Sequence, residues 1–357
     1  MVTGKLNKGE LNKGEWSESL ALLKIINSGL IKFGSDKHKE TNNWIEVFEI
    51  LPNGLSDSIK INKKNQSILV NNKEFKINDI ASTNTINKLV TAILEGGKSS
   101  EVVGQEKKRT FSNPQHIIKP LLSKLGIESL KAHAKTKGDI TISYLNVTNG
   151  KIYKMQPVGI KSYIGSKPTI INPSSHTLFK YKISGLGSNL SFIQNQLENY
   201  SYKSKIQKIK SLGGSISLVG GKSTVYKNNL EMIDKKLPKI LGDALLEFYS
   251  TKGKTKVSYF IQNNQEILIF KNFLIESMLG IFPSELWNRK RKSAGFISLA
   301  KSGGMLFYHV TDLLNFKEFL FFKSCFEGPQ SRKSIIFCEP YEEKGSIYID
   351  LALQVRL

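Results

Sequence analysis

Asp139 and Lys161 bracket a stretch that reads as a β-hairpin. Residues Lys137 to Leu145 alternate apolar and polar types, and Ile152 to Ser162 do so again. Asn149-Gly150 between them is the strongest short-range hairpin signal, because both turn residues tolerate φ > 0. The acid opens the first strand and the lysine closes the second, so the turn brings them close. A plain two-residue loop would pair Asp139 with Ile160 and leave Lys161 on the other face. Pro157 lacks an N–H and is easiest to place at a bulge or an edge. One bulge shifts the parity and puts both side chains on the same face. A carboxylate beside an ammonium at a strand end suits metal-assisted phosphodiester cleavage: the carboxylate holds Mg²⁺, and the lysine orients water or stabilises the crowded phosphorus. The same two residues also suit a simple surface ion pair across a hairpin.

Two more carboxylates stand near the N-terminus. Residues 14–29 read as a helix, with Trp16, Leu20 and Leu23 at helical spacing and Gly29 as its stop. Glu15 and Glu18 fall three apart, on one face of the first turn. Acids there are favoured by the helix dipole in any case, so they suit either a site or simple dipole compensation.

Charge narrows the partner. The chain has 357 residues, 52 Lys plus Arg and 30 Asp plus Glu, a net +22. From Lys107 to Leu230 there are twenty basic residues and three acids (Glu128, Asp139 and Glu198), a local +17. An Asn-, Ile- and Lys-rich composition would inflate lysine everywhere, yet it does not explain why acids vanish here. A one-signed field of this length wants a polyanion, and nucleic acid is the usual one. Arginines occur only at 109, 289, 291, 332 and 356. No apolar run approaches the ~18 residues of a membrane helix. Two cysteines, Cys325 and Cys338, make no metal or disulfide framework, so a cytoplasmic location is expected.

The elements that must position these residues alternate in type. Residues 44–51 and 67–77 read as strands, Ile80 to Leu94 as a helix capped from Asp79, and 96–111 as a loop. Pro120 to His133 reads as a helix leading into the hairpin. Ser188 to Tyr200 and Asp234 to Tyr249 read as helices. Val257 to Phe270 reads as two strands around Asn263-Asn264, followed by a helix over Lys271 to Phe282. The last eighty residues return to strands at 296–300, 305–309 and 346–356. Residues 6–10 and 11–15 repeat Leu-Asn-Lys-Gly-Glu. The class is α/β (α+β), with a central mixed sheet flanked by helices. Residues 1–230 are expected to hold the core and its basic hairpin, and 231–357 a C-terminal α/β region.

Two Gly-Gly-Lys-Ser tetrapeptides, at 96–99 and 220–223, fail as phosphate loops. The glycine needed five residues earlier is Ala92 in one and Ile216 in the other. The five histidines show no metal-ligand spacing, and His309 reads as a packed or surface residue. A helix with Glu15 and Glu18, a strand opened by Asp139 and a strand bearing Gly159-Ile-Lys161 are different. Together they resemble the PD-(D/E)xK nuclease core. More narrowly, the chain resembles the HpaII family of type II restriction endonucleases. The likeness runs through Asn12-Lys-Gly-Glu-Trp-Ser-Glu18, Val158-Gly-Ile-Lys-Ser162, Pro168-Thr-Ile-Ile-Asn-Pro-Ser174 and Phe179-Lys-Tyr-Lys-Ile183. It continues in Gly303-Gly-Met-Leu-Phe-Tyr-His309, Ser331-Arg332 and Leu351-Ala-Leu-Gln-Val-Arg356.

The resemblance implies Mg²⁺-dependent cleavage of double-stranded DNA at a short palindrome, with CCGG suggested. It also implies a homodimer on that site and a cognate methyltransferase that protects the host's own DNA. Asp139 would be the metal ligand and Lys161 the catalytic lysine. Glu15 or Glu18 would be the helix carboxylate, with Glu15 as second metal ligand. One departure stands out: the acid of the acid-x-Lys motif is Gly159, and residues 162–197 contain no Asp or Glu. The replacement comes from Glu15, Glu18, Glu198, a main-chain carbonyl, water or Gln156. Lys135, Lys137, Gln156, Ser162, Arg289, Lys290, Arg291, Lys292 and Arg332 are the expected DNA contacts. Arginine is the commonest reader of guanine in the major groove, although a basic loop also suits phosphate contacts alone. A DNA-binding protein that kept the fold and lost the acid, or a structure-selective nuclease, are the alternatives.

Overall fold

The computed structural model describes residues 13–53, 55–95, 114–127, 137–164, 167–187, 189–328 and 338–357. Most of the 6–15 repeat, the 96–99 tetrapeptide, Lys135 and Arg332 lie outside them. The chain divides into two compact units. One comprises residues 1–168 and 292–315, the other 169–291 and 316–357.

The first unit begins with helix α1 (Lys13–Ser28). Leu20, Ala21, Leu22, Leu23, Ile25 and Ile26 are all fully buried, so the helix is enclosed on nearly every side rather than along one stripe. Gly29 ends it in the left-handed region (φ +63), and its N–H reaches the Ile25 carbonyl at 2.7 Å. Then follow β1 (Leu30–Gly34), β2 (Glu40–Pro52), β3 (Ile59–Asn62), β4 (Ser67–Val70) and β5 (Lys73–Lys76). After α2 (Ile77–Ala81), α3 (Thr83–Glu95) and α4 (Pro114–Lys124) come β6 (Ile140–Asn146) and β7 (Lys151–Ser162). Residues 292–315 return β8 (Gly295–Leu299) and β9 (Met305–His309).

These strands make one nine-stranded mixed sheet, ordered β1-β9-β8-β7-β6-β2-β3-β4-β5. The β1–β9 and β8–β7 pairs are parallel and the others antiparallel. Because β1 also pairs with β2, six of the strands close a hydrogen-bonded ring. α1 packs into a core with Val47, Ile50, Ile140, Ile142, Val158, Ile160, Ile297 and Phe307. The hairpin β6–β7 is thus interior to the sheet.

The second unit carries a four-stranded antiparallel sheet in the order Ser215–Gly221, Leu178–Ser184, Ser346–Ala352, Tyr341–Glu343. Helix Leu237–Ser250 buries Leu237, Ile240, Leu241, Ala244, Leu245 and Phe248 at helical spacing. It comes close enough to the sheet that the Tyr181 hydroxyl donates to the Gly242 carbonyl at 2.8 Å. A small three-stranded sheet joins Thr169–Ile171, Val355–Arg356 and Cys325–Phe326.

Several local expectations need correction. Residues 67–77 form two strands, not one, because Asn71 and Asn72 both take φ > 0 and turn the chain. The helix expected from Ile80 to Leu94 is two, broken at Ser82, whose hydroxyl accepts the Thr85 N–H. The helix before the hairpin runs Pro114–Lys124 and not from Pro120; Pro120 lies inside it. In place of the two strands expected over 257–270 stand a short helix, Val257–Phe260, and the start of helix Asn264–Leu279. Asn263, read as a turn, is the N-cap of helix Asn264–Leu279 and accepts the N–H groups of Gln265 and Glu266. Tyr202–Ser211 is a helix with no counterpart in the sequence reading.

Candidate active site

The hairpin carries the central pair. The loop between its strands is Val147–Gly150, closed by the Asn146–Lys151 pair, with Gly150 at φ +67. Beyond it the ladder runs in one register to Tyr144–Tyr153, then shifts by one residue, so that Ile142 faces Gln156 and Ile140 faces Val158. The pairing ends at Ile140–Val158, and just beyond it the Asp139 carboxylate lies against Gly159, on the face that Lys161 shares. The bulge lies at Met155 (φ +49), two residues before Pro157. Pro157 instead sits in regular pairing opposite Thr141, and its carbonyl accepts from Ala294 N–H and Ser293 Oγ at 2.8 and 3.0 Å. That position of the ladder needs no N–H from it.

Asp139 is fixed by two hydrogen bonds of its own and by an anchored neighbour. Its N–H donates to the Val158 carbonyl at 2.9 Å. Its Oδ2 accepts the Ile160 N–H at 2.5 Å. The carbonyl of Gly138, just before it, accepts from Asn53 Nδ2 at 3.0 Å. A side chain at Gly159 would begin 3.6 Å from Asp139 Oδ2 and 3.2 Å from the Lys137 carbonyl. The position where the acid-x-Lys pattern has its carboxylate therefore does face Asp139, but it is closely bounded by the Lys137 carbonyl and Phe296, and glycine leaves it without a carboxylate.

α1 brings Glu18 to this place. Burial, then the charges of Asp139 and Glu15, push the Glu18 carboxyl up to about 8, while Lys161 pulls it back. Burial likewise raises Asp139, opposed by Lys161 and the Ile160 N–H. Glu15 is buried on the same helix. On the cationic side, burial and the neighbouring charges of Lys161 and Lys292 lower the Lys137 ammonium to about 8. The first unit thus gathers Glu15, Glu18, Asp139, Lys137, Lys161 and Lys292. Like-charged carboxylates that resist ionising together form a site that a cation would relieve. The described residues contain no ready-made group of three or more metal-ligating side chains. Mg²⁺ asks for less, since it keeps several waters and takes one or two carboxylates plus substrate phosphate.

The remaining expected contacts are dispersed. Gln156 Nε2 donates to the Lys154 carbonyl, and Ser162 Oγ accepts the Ile164 N–H. Arg289 (φ +63), Lys290 and Arg291 belong to the second unit. Arg291 is held in a two-pronged pair with Glu276, Nη2 to Oε1 at 2.6 Å. Glu198 caps helix Leu190–Leu197 in that unit. The 220–223 tetrapeptide is a strand-to-helix junction: Ser223 caps helix Thr224–Ile233, and Lys222 pairs with Asp350. A groove of about 560 Å³ in the first unit, lined by Lys24, Leu30, Trp44 and Met305 among others, includes none of the candidate residues. Sequence reasoning missed Asn53, Glu49 and Ser143, whose roles come only from contacts between distant strands.

No helix among the described residues is long and apolar enough to cross a membrane. The protein is a type II restriction endonuclease, a site-specific deoxyribonuclease. The chain belongs to the HpaII restriction endonuclease family, whose model matches residues 12–357. It is 28% identical to the type II restriction enzyme HpaII of Haemophilus parainfluenzae over 97% of this chain and 98% of that one. No solved structure matches it.

Proposed function

We propose that this endonuclease makes a metal-dependent double-strand cut at a short palindrome, CCGG, from a PD-(D/E)xK-type core built on the β6–β7 hairpin. The observation that supports the reading is the convergence of Asp139, Lys161 and the α1 carboxylate Glu18 at one strand end. Asp139 and Glu18, with Glu15 behind them, would hold Mg²⁺ through hard oxygen atoms. Bound there, the ion supplies charge neutralisation at the scissile phosphate. Lys161 orients the attacking water and offsets charge developing on the phosphoryl oxygens. Lys137 and Lys292 draw the flanking phosphates in. Glu18 takes the role vacated at Gly159. The protein works as a homodimer on the palindrome, beside a methyltransferase that protects host sites.

The test is incubation of unmethylated plasmid with Mg²⁺, followed by sequencing of the ends. Discrete fragments ending within CCGG are expected. Cutting at another fixed sequence would refute the CCGG assignment alone. Equal cutting without divalent ion would refute the metal assignment.

A further inference from the structure

We propose that Ser143, anchored by Glu49, is a positioning residue that sets the strand register on which the Asp139–Lys161 pairing depends. The proposal rests on the reading of those two residues as the cleavage centre. Ser143 faces two residues of β7, Lys154 and Met155, where the ladder shifts. Met155 adopts φ +49, a left-handed conformation that is strained for a residue with a side chain and needs an outside partner to hold it. Ser143 Oγ accepts the Met155 N–H at 3.1 Å and donates to Glu49 Oε2 at 2.8 Å. Glu49 Oε1 accepts from Ser58 Oγ at 2.6 Å. Those two hydroxyls hold the Glu49 carboxyl below its ordinary range.

Ser143 is fully buried, on a strand whose neighbouring buried positions are Ile142 and Tyr144. A buried hydroxyl there is costly unless both its hydrogen-bonding roles are used. β2 shifts register at the same place, with Val47 opposite Tyr144 but Glu49 opposite Ser143. β6 is therefore gripped at one residue by irregularities in both neighbours. Without the bulge, the far half of the hairpin slips by one residue, and a one-residue slip turns every side chain to the opposite face. Asp139 would then face Val158, and Lys161 would leave its side of the sheet. Ser143 has no hydrogen bond with either residue; it acts on where they stand.

The experiment uses the full-length enzyme with Ser143→Ala, Ser143→Thr and Ser143→Ala/Met155→Gly. Glycine removes the left-handed penalty, so the bulge no longer needs the hydroxyl. Ser143→Ala should lower kcat by about tenfold or more, as a misplaced catalytic group does, with KM and DNA affinity little changed. Ser143→Thr and the Met155→Gly double variant should recover most of the loss. Register is read without activity from cysteine pairs. Thr141→Cys/Pro157→Cys should oxidise readily in the parent, and Thr141→Cys/Gln156→Cys should gain on it when Ser143→Ala is added. Unchanged kcat and unchanged cysteine pairing in Ser143→Ala would overturn the proposal. So would a loss of kcat that Met155→Gly fails to restore. If Asp139→Asn cleaves as well as the parent, the cleavage-centre reading falls, and the cysteine pairs still decide the register claim.

Discussion

Asp139 and Glu18 are held where neither ionises easily. Burial raises both, the neighbouring charges of Asp139 and Glu15 raise Glu18 further, and Lys161 only partly compensates. Residues placed against their own stability mark a functional site more strongly than residues that merely pair. Two outcomes follow. Asp139→Asn should abolish cleavage in Mg²⁺ while DNA binding stays intact or tightens, because a carboxylate that repels phosphate is gone. Glu18→Gln should also lose cleavage by orders of magnitude, yet raise the melting temperature of the metal-free protein at neutral pH, because folding then no longer requires this buried carboxyl to take up a proton that the unfolded chain would release. Activity assays and thermal melts of the two variants check both. A Glu18→Gln enzyme that cuts normally would move the vacated role elsewhere. The pair Asp139 and Lys161 was legible in the sequence, since a strong turn signal and nearly equal spacing fix their proximity. The bulge was legible in its consequence but misplaced in position. Pro157 advertises irregularity, whereas Met155 is marked only by a hydroxyl twelve residues away and a carboxylate on another strand.

At the scale of elements, helices and strands were read well where their periods were long and poorly where one residue type has two uses. Asn263 shows why: an asparagine that turns a hairpin and one that caps a helix look alike, and the choice depends on what the following residues pack against. The strands hold a second lesson in His309, which ends β9 and ties it to β6. Its ring stacks on Phe307 at 5.1 Å and meets the Tyr144 hydroxyl at 3.3 Å from Nε2. The Thr311 N–H donates to Nδ1 at 3.2 Å, which requires that nitrogen to be unprotonated. Burial lowers the imidazole from 6.5 to about 4. The unfolded chain therefore binds more protons than the folded one between those values. Stability should fall as pH drops from about 6.5 toward 4 and should be insensitive to this group above that window. Chemical denaturation of the parent and of His309→Gln across pH 4–8 checks it. The variant should be less stable at neutral pH and show a shallower acid slope. An unchanged acid slope would remove His309 from the account.

At the scale of the molecule, charge is the property that the sequence stated outright. The +17 carried by residues 107–230 falls on both units, since the boundary after Pro168 divides it. Part of it is already neutralised: Lys180 pairs with Glu343 at 2.6 Å, and Lys205 and Lys222 are paired with Glu339 and Asp350. The paired lysines sit on the four-stranded sheet and its helices, whereas Lys137 and Lys161 gather around the candidate site. Phosphate binding should therefore draw on fewer cations than the count suggests, and on the first unit's cluster most directly. Each phosphate neutralised releases counterions, so log affinity should fall with log salt at ~0.9 per contact. Measured on the Asp139→Asn protein without Mg²⁺, to prevent cutting, the slope should be steep. It should drop by about one contact in Lys137→Met. Lys222→Met should leave it nearly unchanged, since that ammonium already has Asp350. A flat salt dependence, or equal effects of the two substitutions, would mean that the basic field serves solubility and that the DNA path lies on other residues.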